Sequence, residues 1–173
     1  AGDGSEGNPY QIANLENLYW ITADKLNWDK NYIQTSDIDA SETRNWFDGT
    51  GWKPIGSGFY TPFKGTYNGQ NHNIDRLYIY RNFWGEIDCI GLFGLVENGT
   101  IQNLNVSNIE IITGGDYTGA LAGYIRDYYS GQNSYIINCS SSGRISVDGE
   151  YVGGLVGYST RNSSITKSSS SIS

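Results

Sequence analysis

The octet YVGGLVGY at Tyr151–Tyr158 repeats YTGALAGY at Tyr117–Tyr124, and a looser copy, DCIGLFGL, stands at Asp88–Leu95. Alignment puts Leu92, Leu121 and Leu155 in one column and Gly94, Gly123 and Gly157 in another, the glycines 29 and then 34 residues apart. A period in that range belongs to stacked supersecondary units rather than to independent domains. A second column supports it. TIQNLNV, YIINCSS and SITKSSS align through Ile101, Ile136 and Ile165, and NIDRLYI extends the column upstream through Ile74, at spacings of 27, 35 and 29. Unequal spacings mean a fixed part and a variable loop in each repeat, with the extra residues mainly in IRDYYSGQNS, Ile125–Ser134.

The octet is too short for a helix, and each glycine inside one would cost about 1 kcal/mol. Its small residues suit the close approach of neighbouring backbones. In TIQNLNV, Ile101 and, after a two-residue offset, Leu104 and Val106 alternate with Asn103 and Asn105, as in a strand with one irregular step. NIEII (Asn108–Ile112) follows and is matched by GRISV (Gly143–Val147) in the next repeat. Three short strands per repeat, with no two-residue hairpin turn to reverse the chain, predict an all-β parallel β-helix, or β-solenoid. Coils stack about 4.8 Å apart, so Leu92, Leu121 and Leu155 are expected to form one interior ladder and Ile74, Ile101, Ile136 and Ile165 another. Strand twist and the crossover rule predict a right-handed coil.

Composition agrees with strands and turns. Of 173 residues, 23 are Gly and 14 Tyr, with 38% hydrophobic and 17% charged, and the length suits one domain with a core. A net charge of −7 makes nucleic acid and anionic membrane surfaces poor partners, and no apolar run approaches membrane-spanning length. AGDGSEGNPY reads as a processed or engineered start. Cys139 stands in the column of Leu104 and reads as a small buried hydrophobe; a Cys89–Cys139 bridge is left open.

Residues 1–56 read as an N-terminal capping region with the first irregular coil. NLENLYWITADKL opens on an N-cap asparagine and predicts a helix at about 14–26 that covers the open end of the solenoid. Pro9–Ile12 and Tyr32–Ile38 are expected strands, with Trp52–Gly56 and Phe63–Tyr67 in the first coils. Residues 57–173 read as solenoid coils with repeats at about 88–112, 116–147 and 150–173. The chain stops in ITKSSSSIS after part of a coil, so a fragment of a longer chain, or a covering chain, is expected.

IGLFG, TGALAG and VGGLVG, with IQNLNV, IINCSSSG and the preceding PIGSGFYTPFKGTYNGQNHNIDRLYI, resemble the GLUG repeat family of secreted and surface bacterial proteins. The resemblance runs from about Gly4 to the C-terminus. It implies an extracellular or cell-surface β-helix of the sort found in adhesin-like proteins and as an accessory region of some bacterial peptidases, and it carries over no catalytic residue. Ala120 and Ala122 in the second copy, and Lys167 and Ser168 in the last, depart from the pattern.

The chemistry begins with what is missing. One histidine rules out a two-histidine zinc motif within this sequence, and there is no phosphate loop or dinucleotide fingerprint. No catalytic residue, metal or cofactor is expected. His72 reads as a turn histidine held by local hydrogen bonds. Asp116 and Glu150 each precede a repeated tyrosine, and Asp88 aligns with the tyrosine column itself. Such stacked acids are ordinary in turns but would also suit a cation site or a glycosidase pair. Asp37 and Asp39 share one strand face.

Aromatic residues make the better binding argument. Tyr117 and Tyr151 are expected to stack as a ladder beside the turn acids, and Tyr80, Phe83, Trp84, Tyr128 and Tyr129 fall in loops at 78–88 and 126–131. Aromatic faces beside carboxylates and amides are what sugar rings use. The sequons at Asn98, Asn105, Asn138 and Asn162 are potential glycan acceptors or stacked turn asparagines. Two functions follow. One is a non-catalytic extracellular stalk or adhesin segment that joins further domains of its parent chain and contacts glycan or a host surface protein. The other is a carbohydrate-active enzyme with an acid cluster at Asp88, Asp116 and Glu150.

Overall fold

Each turn of this chain must change direction several times within about thirty residues, and the residues at those corners are ones that accept a left-handed backbone. The structure, a computed structural model, describes residues 2–81, 89–127, 131–160 and 162–173. β1 (Tyr10–Ile12), α1 (Leu15–Ala23), β2 (Asn31–Gln34) and β3 (Ile38–Asp39) are followed by β4 (Thr66–Asn68), β5 (Asn73–Asp75) and β6 (Tyr78–Arg81). Next come β7 (Cys89–Ile90), β8 (Phe93–Glu97), β9 (Thr100–Gln102) and β10 (Asn105–Thr113). The following coil is β11 (Tyr117–Gly119), β12 (Ala122–Arg126), β13 (Ser134–Ile137) and β14 (Ser140–Val147). The last is β15 (Val152–Gly153), β16 (Val156–Ser159), β17 (Ser163–Thr166) and β18 (Ser169–Ile172).

All pairing between these strands is parallel. One sheet runs β1-β2-β4-β9-β13-β17, a second β3-β5-β10-β14-β18 with β6 also on β10, and two shorter ones β7-β11-β15 and β8-β12-β16. The chain is thus a parallel β-solenoid. Each octet contributes two strands joined by an arch, so the regular coils carry four strands, one more than the repeat pattern suggests.

The leucine ladder is as expected. Leu92 and Leu121 are fully buried and Leu155 nearly so, and the Leu121 amide donates to the Leu155 carbonyl at 2.9 Å. Ile101, Ile136 and Ile165 pair in register, but Ile74 does not join them. It lies between Ile38 and Val106 in the other long sheet, and Tyr67 and Tyr32 continue the isoleucine column upstream. The pattern Ile-x-x-Leu occurs at two successive corners of the coil, and NIDRLYI carries the second. Arg76 (φ 60) turns that corner as Asn108 (φ 50) does one coil later, whereas Asn103 (φ 53), Asn138 (φ 53) and Lys167 (φ 52) turn the first.

The corner asparagines stack. The Asn138 side-chain amide donates to Asn103 Oδ1 at 2.9 Å, and that of Asn103 to Asn68 Oδ1 at 3.1 Å. Asn tolerates positive φ better than other residues with a β-carbon, so one residue type serves both the turn and the ladder.

The glycine column explains the octet. A Cβ on Gly123 would stand 2.5 Å from both the Ile90 nitrogen and the Tyr117 oxygen, and one on Gly119 would stand 2.4 Å from the Ala122 oxygen. The two strands of the arch therefore pack backbone to backbone, closer than sheets separated by side chains. Parallel bridging of Ile55 with Phe93 carries the column upstream to Gly56, a member hidden in PIGSGF.

At the N-terminal end, the Asn14 side chain accepts the Asn17 amide at 2.9 Å and starts α1, whose Leu18 and Ile21 are buried. The helix ends at Ala23, short of the expected boundary at 26. Asp24 takes the Leu26 amide on its own side chain and begins a short 3-10 turn over Lys25–Asn27, leaving Leu26 exposed. Both cysteines are free and buried, and burial pushes the Cys139 thiol up to about 11, so it is inert as a nucleophile.

Candidate functional site: a tyrosine cluster on the arches

Tyrosines bracket the last two octets, and folding the octet into an arch brings its two ends together. Tyr117 and Tyr124 stack at 5.2 Å between ring centroids with planes 17° apart. Stacking of coils adds the next pair: Tyr117 lies on Tyr151 at 5.1 Å and 6°, Tyr124 meets Tyr158 at 5.2 Å, and Tyr151 meets Tyr158 at 4.6 Å and 50°. Phe59 closes one side with its edge toward Tyr117 and Tyr124, at 6.2 and 6.0 Å. Tyr151 adopts φ 54, a left-handed conformation that is rare for an aromatic residue and carries strain. It is also the most exposed of the four, at 46%. Burial, reinforced by the neighbouring phenols of Tyr151 and Tyr124, raises the Tyr117 phenol above its ordinary range.

The expected Tyr117–Tyr151 ladder is present, yet the faces are turned onto each other. Tyr117 is sandwiched between Tyr124 and Tyr151, which leaves rims, and the outer part of Tyr151, for a ligand. Tyr80 is not in a loop. It belongs to β6, opposite Ile112 of β10, because YIY continues the alternation of the preceding strand. Phe83, Trp84, Tyr128, Tyr129 and Asp88 lie outside the described residues. The register places Cys89, not Asp88, on the rung of Tyr117, since the first arch is one residue shorter than the second.

Beside the cluster sits a charged group absent from the sequence reading. Glu97 is buried and holds Lys64 at 2.9 Å and Arg126 at 2.8 Å. Arg126 also donates to the Phe59 carbonyl at 2.9 Å and lies 5.3 Å from the centre of the Phe59 ring. The available signal was that Glu97 and Arg126 each stand three residues after a column glycine, so opposite charges share one rung.

Asp116 and Glu150 fall on adjacent rungs, one residue before the paired tyrosine column, and both are exposed. Among the described residues no three His, Cys, Asp or Glu side chains gather where they could hold a metal. His72 contacts Asp37 through Nδ1 at 3.2 Å. The Asn73 amide, first, and then His72 hold the Asp37 carboxyl below its ordinary range; the Ser41 amide, ahead of Arg76, does the same for Asp39. A depressed folded-state value means stabilisation that is complete above the unfolded value of about 4 and is lost as pH falls through the folded value. Thermal midpoints should therefore drop on acidification below about pH 4, and Asp37→Asn with Asp39→Asn should flatten that drop; equal slopes in wild type and variant would remove these carboxylates from the account.

Residues 148–173 match the model of the GLUG motif. Halomucin of Haloquadratum walsbyi is 32% identical over 176 residues, covering 99% of this chain, which spans about 2% of that protein's length. The crystal structure of a candidate immunoglobulin A1 protease from Bacteroides ovatus superposes with a TM-score of 0.56 at 20% identity, covering 95% of this chain and 66% of that one. That likeness bears on fold alone. With the leucine, isoleucine and glycine ladders in place, the chain is a parallel β-solenoid whose last coil matches the GLUG motif.

Proposed function

We propose that this chain is a rigid, non-catalytic segment of an extracellular or cell-surface protein, which spaces other domains of its parent and contacts glycan or a host surface protein through its loops. The observation that carries this reading is the uninterrupted run of six parallel rungs in the longest sheet, which adds about 4.8 Å of stiff length per coil. Similarity along the whole chain to a stretch of a protein named as a mucin supports it, as does the acidic charge, which disfavours association with nucleic acid and anionic membranes. No helix among the described residues is long and apolar enough to cross a membrane. The stacked tyrosines add stiffness, because each ring packs on the coil above or below it.

Contact with glycan is assigned to the stretches of sequence around Trp84 and Tyr129, which lie outside the described residues, rather than to Tyr117, which stacks on Tyr124 and Tyr151. On a glycan array, Trp84→Ala or Tyr129→Ala should abolish signal that survives Asp116→Asn with Glu150→Gln. Release of reducing ends from an acidic polysaccharide, lost in the acid variants, would instead identify a carbohydrate-active enzyme.

A further inference from the structure

Four tyrosine rings, five of whose six pairs have centroids 4.6 to 5.5 Å apart, on the surface of a chain without methionine and with both cysteines buried, form a concentrated oxidisable group. Thioethers and accessible thiols are the side chains that would otherwise intercept an oxidant. We propose that this cluster is an oxidative cross-linking site, at which a haem-peroxidase-class oxidant using hydrogen peroxide joins Tyr151 to Tyr158 as dityrosine.

Tyr151 is the ring an oxidant reaches first: it is the most exposed of the four, and it packs on both Tyr117 and Tyr158. Tyr158 is favoured over Tyr117 because an aryl–aryl bond needs two rings close together and twisted. The Tyr151–Tyr158 pair is already nearest and tilted by 50°, whereas the parallel Tyr117–Tyr151 stack must first come apart.

The step balances. Each phenol gives up one electron and one proton to become a phenoxyl radical. The two radicals form one bond between ring carbons ortho to oxygen, and the hydrogens on those carbons shift to restore both phenols. Hydrogen peroxide accepts the two electrons and two protons and becomes two waters. The product closes a covalent ring across one arch of the last coil, pinning a solenoid corner in the way a short-loop disulfide would.

Tyr60 supplies an internal control, being 99% exposed and without a ring partner among the described residues. The dilute, folded chain is treated with a haem peroxidase and hydrogen peroxide, then read by dityrosine fluorescence, denaturing gel and tryptic mapping. The expected product is monomeric, with the peptide between Arg144 and Arg161 lighter by two hydrogens. Tyr151→Phe and Tyr158→Phe, which keep the ring and hence the packing, should each lower the yield ~10-fold, because a phenyl ring forms no phenoxyl radical and the nearest pair of phenols is lost. Tyr60→Phe should leave the yield unchanged. Equal yield from Tyr151→Phe, equal yield from urea-unfolded chain, dimers joined through Tyr60, or oxidation without dityrosine would each overturn the proposal. None of these outcomes touches the spacer reading, which makes no use of covalent coupling.

Discussion

A methyl group added at position 123 is expected to lower folding stability by about 3 kcal/mol. The Cβ of Gly123→Ala would stand 2.5 Å from the Ile90 nitrogen, 2.5 Å from the Tyr117 oxygen and 2.7 Å from the Cys89 carbonyl carbon. All three are backbone atoms of neighbouring strands, so no rotamer change makes room, and relief requires the arch to open. Opening it separates Tyr117 from Tyr124 and pulls Leu121 from its ladder. Gly114 is the matched control: a Cβ there meets nothing within 4 Å, and Gly114→Ala should fall within about 0.5 kcal/mol of wild type, aided by the smaller entropy of its unfolded chain. Urea denaturation followed by circular dichroism gives both numbers. Coincident midpoints for the two variants would mean that the arch tolerates a side chain, and the explanation offered for the repeated octet would fail.

The solenoid was legible because its interior repeats letters. Leu92, Leu121 and Leu155 sit on successive rungs, and one apolar residue stacked on its own kind leaves the same mark at every level. Where a rung changes character the sequence falls silent. Tyr32, Tyr67 and Ile101 share a column but not a residue type, so Ile74 was the more attractive continuation. The Glu97–Arg126 rung was missed for the same reason, since opposite charges attract in space and look unrelated in an alignment. Gly56 lay hidden because a long insertion follows it, although its rung is the regular one. In the tyrosine cluster, sequence spacing foretold that Tyr117 and Tyr151 would stack. It had nothing to say about which way the faces turn, and that orientation decides between a platform for sugars and a self-packed column. Orientation depends on the arch, and the arch depends on backbone contact that only the folded glycines show.

Trp52→Ala should cost about 4 kcal/mol, in the range for deleting a large buried aromatic. Trp52 is fully buried at the junction of three parts of the molecule. Its ring lies 6.2 Å from Trp46 and 6.5 Å from Tyr19 of α1, while its indole N–H donates to the Leu92 carbonyl at 3.1 Å. Removing it leaves a cavity between α1 and the first regular coil and takes a partner from a buried carbonyl. The loss should be local before it is global. Amide protection is expected to fall first at Ile55, whose N–H also bonds the Leu92 oxygen at 3.1 Å, and along α1, while Ile136 deeper in the stack stays protected. Trp52→Phe keeps most of the volume and forfeits the hydrogen bond, for a loss of about 1–2 kcal/mol. If hydrogen exchange in Trp52→Ala rose equally at Ile55 and Ile136, α1 and the coils would be one cooperative unit. If neither variant moved the midpoint, α1 would not be closing the end of this solenoid at all.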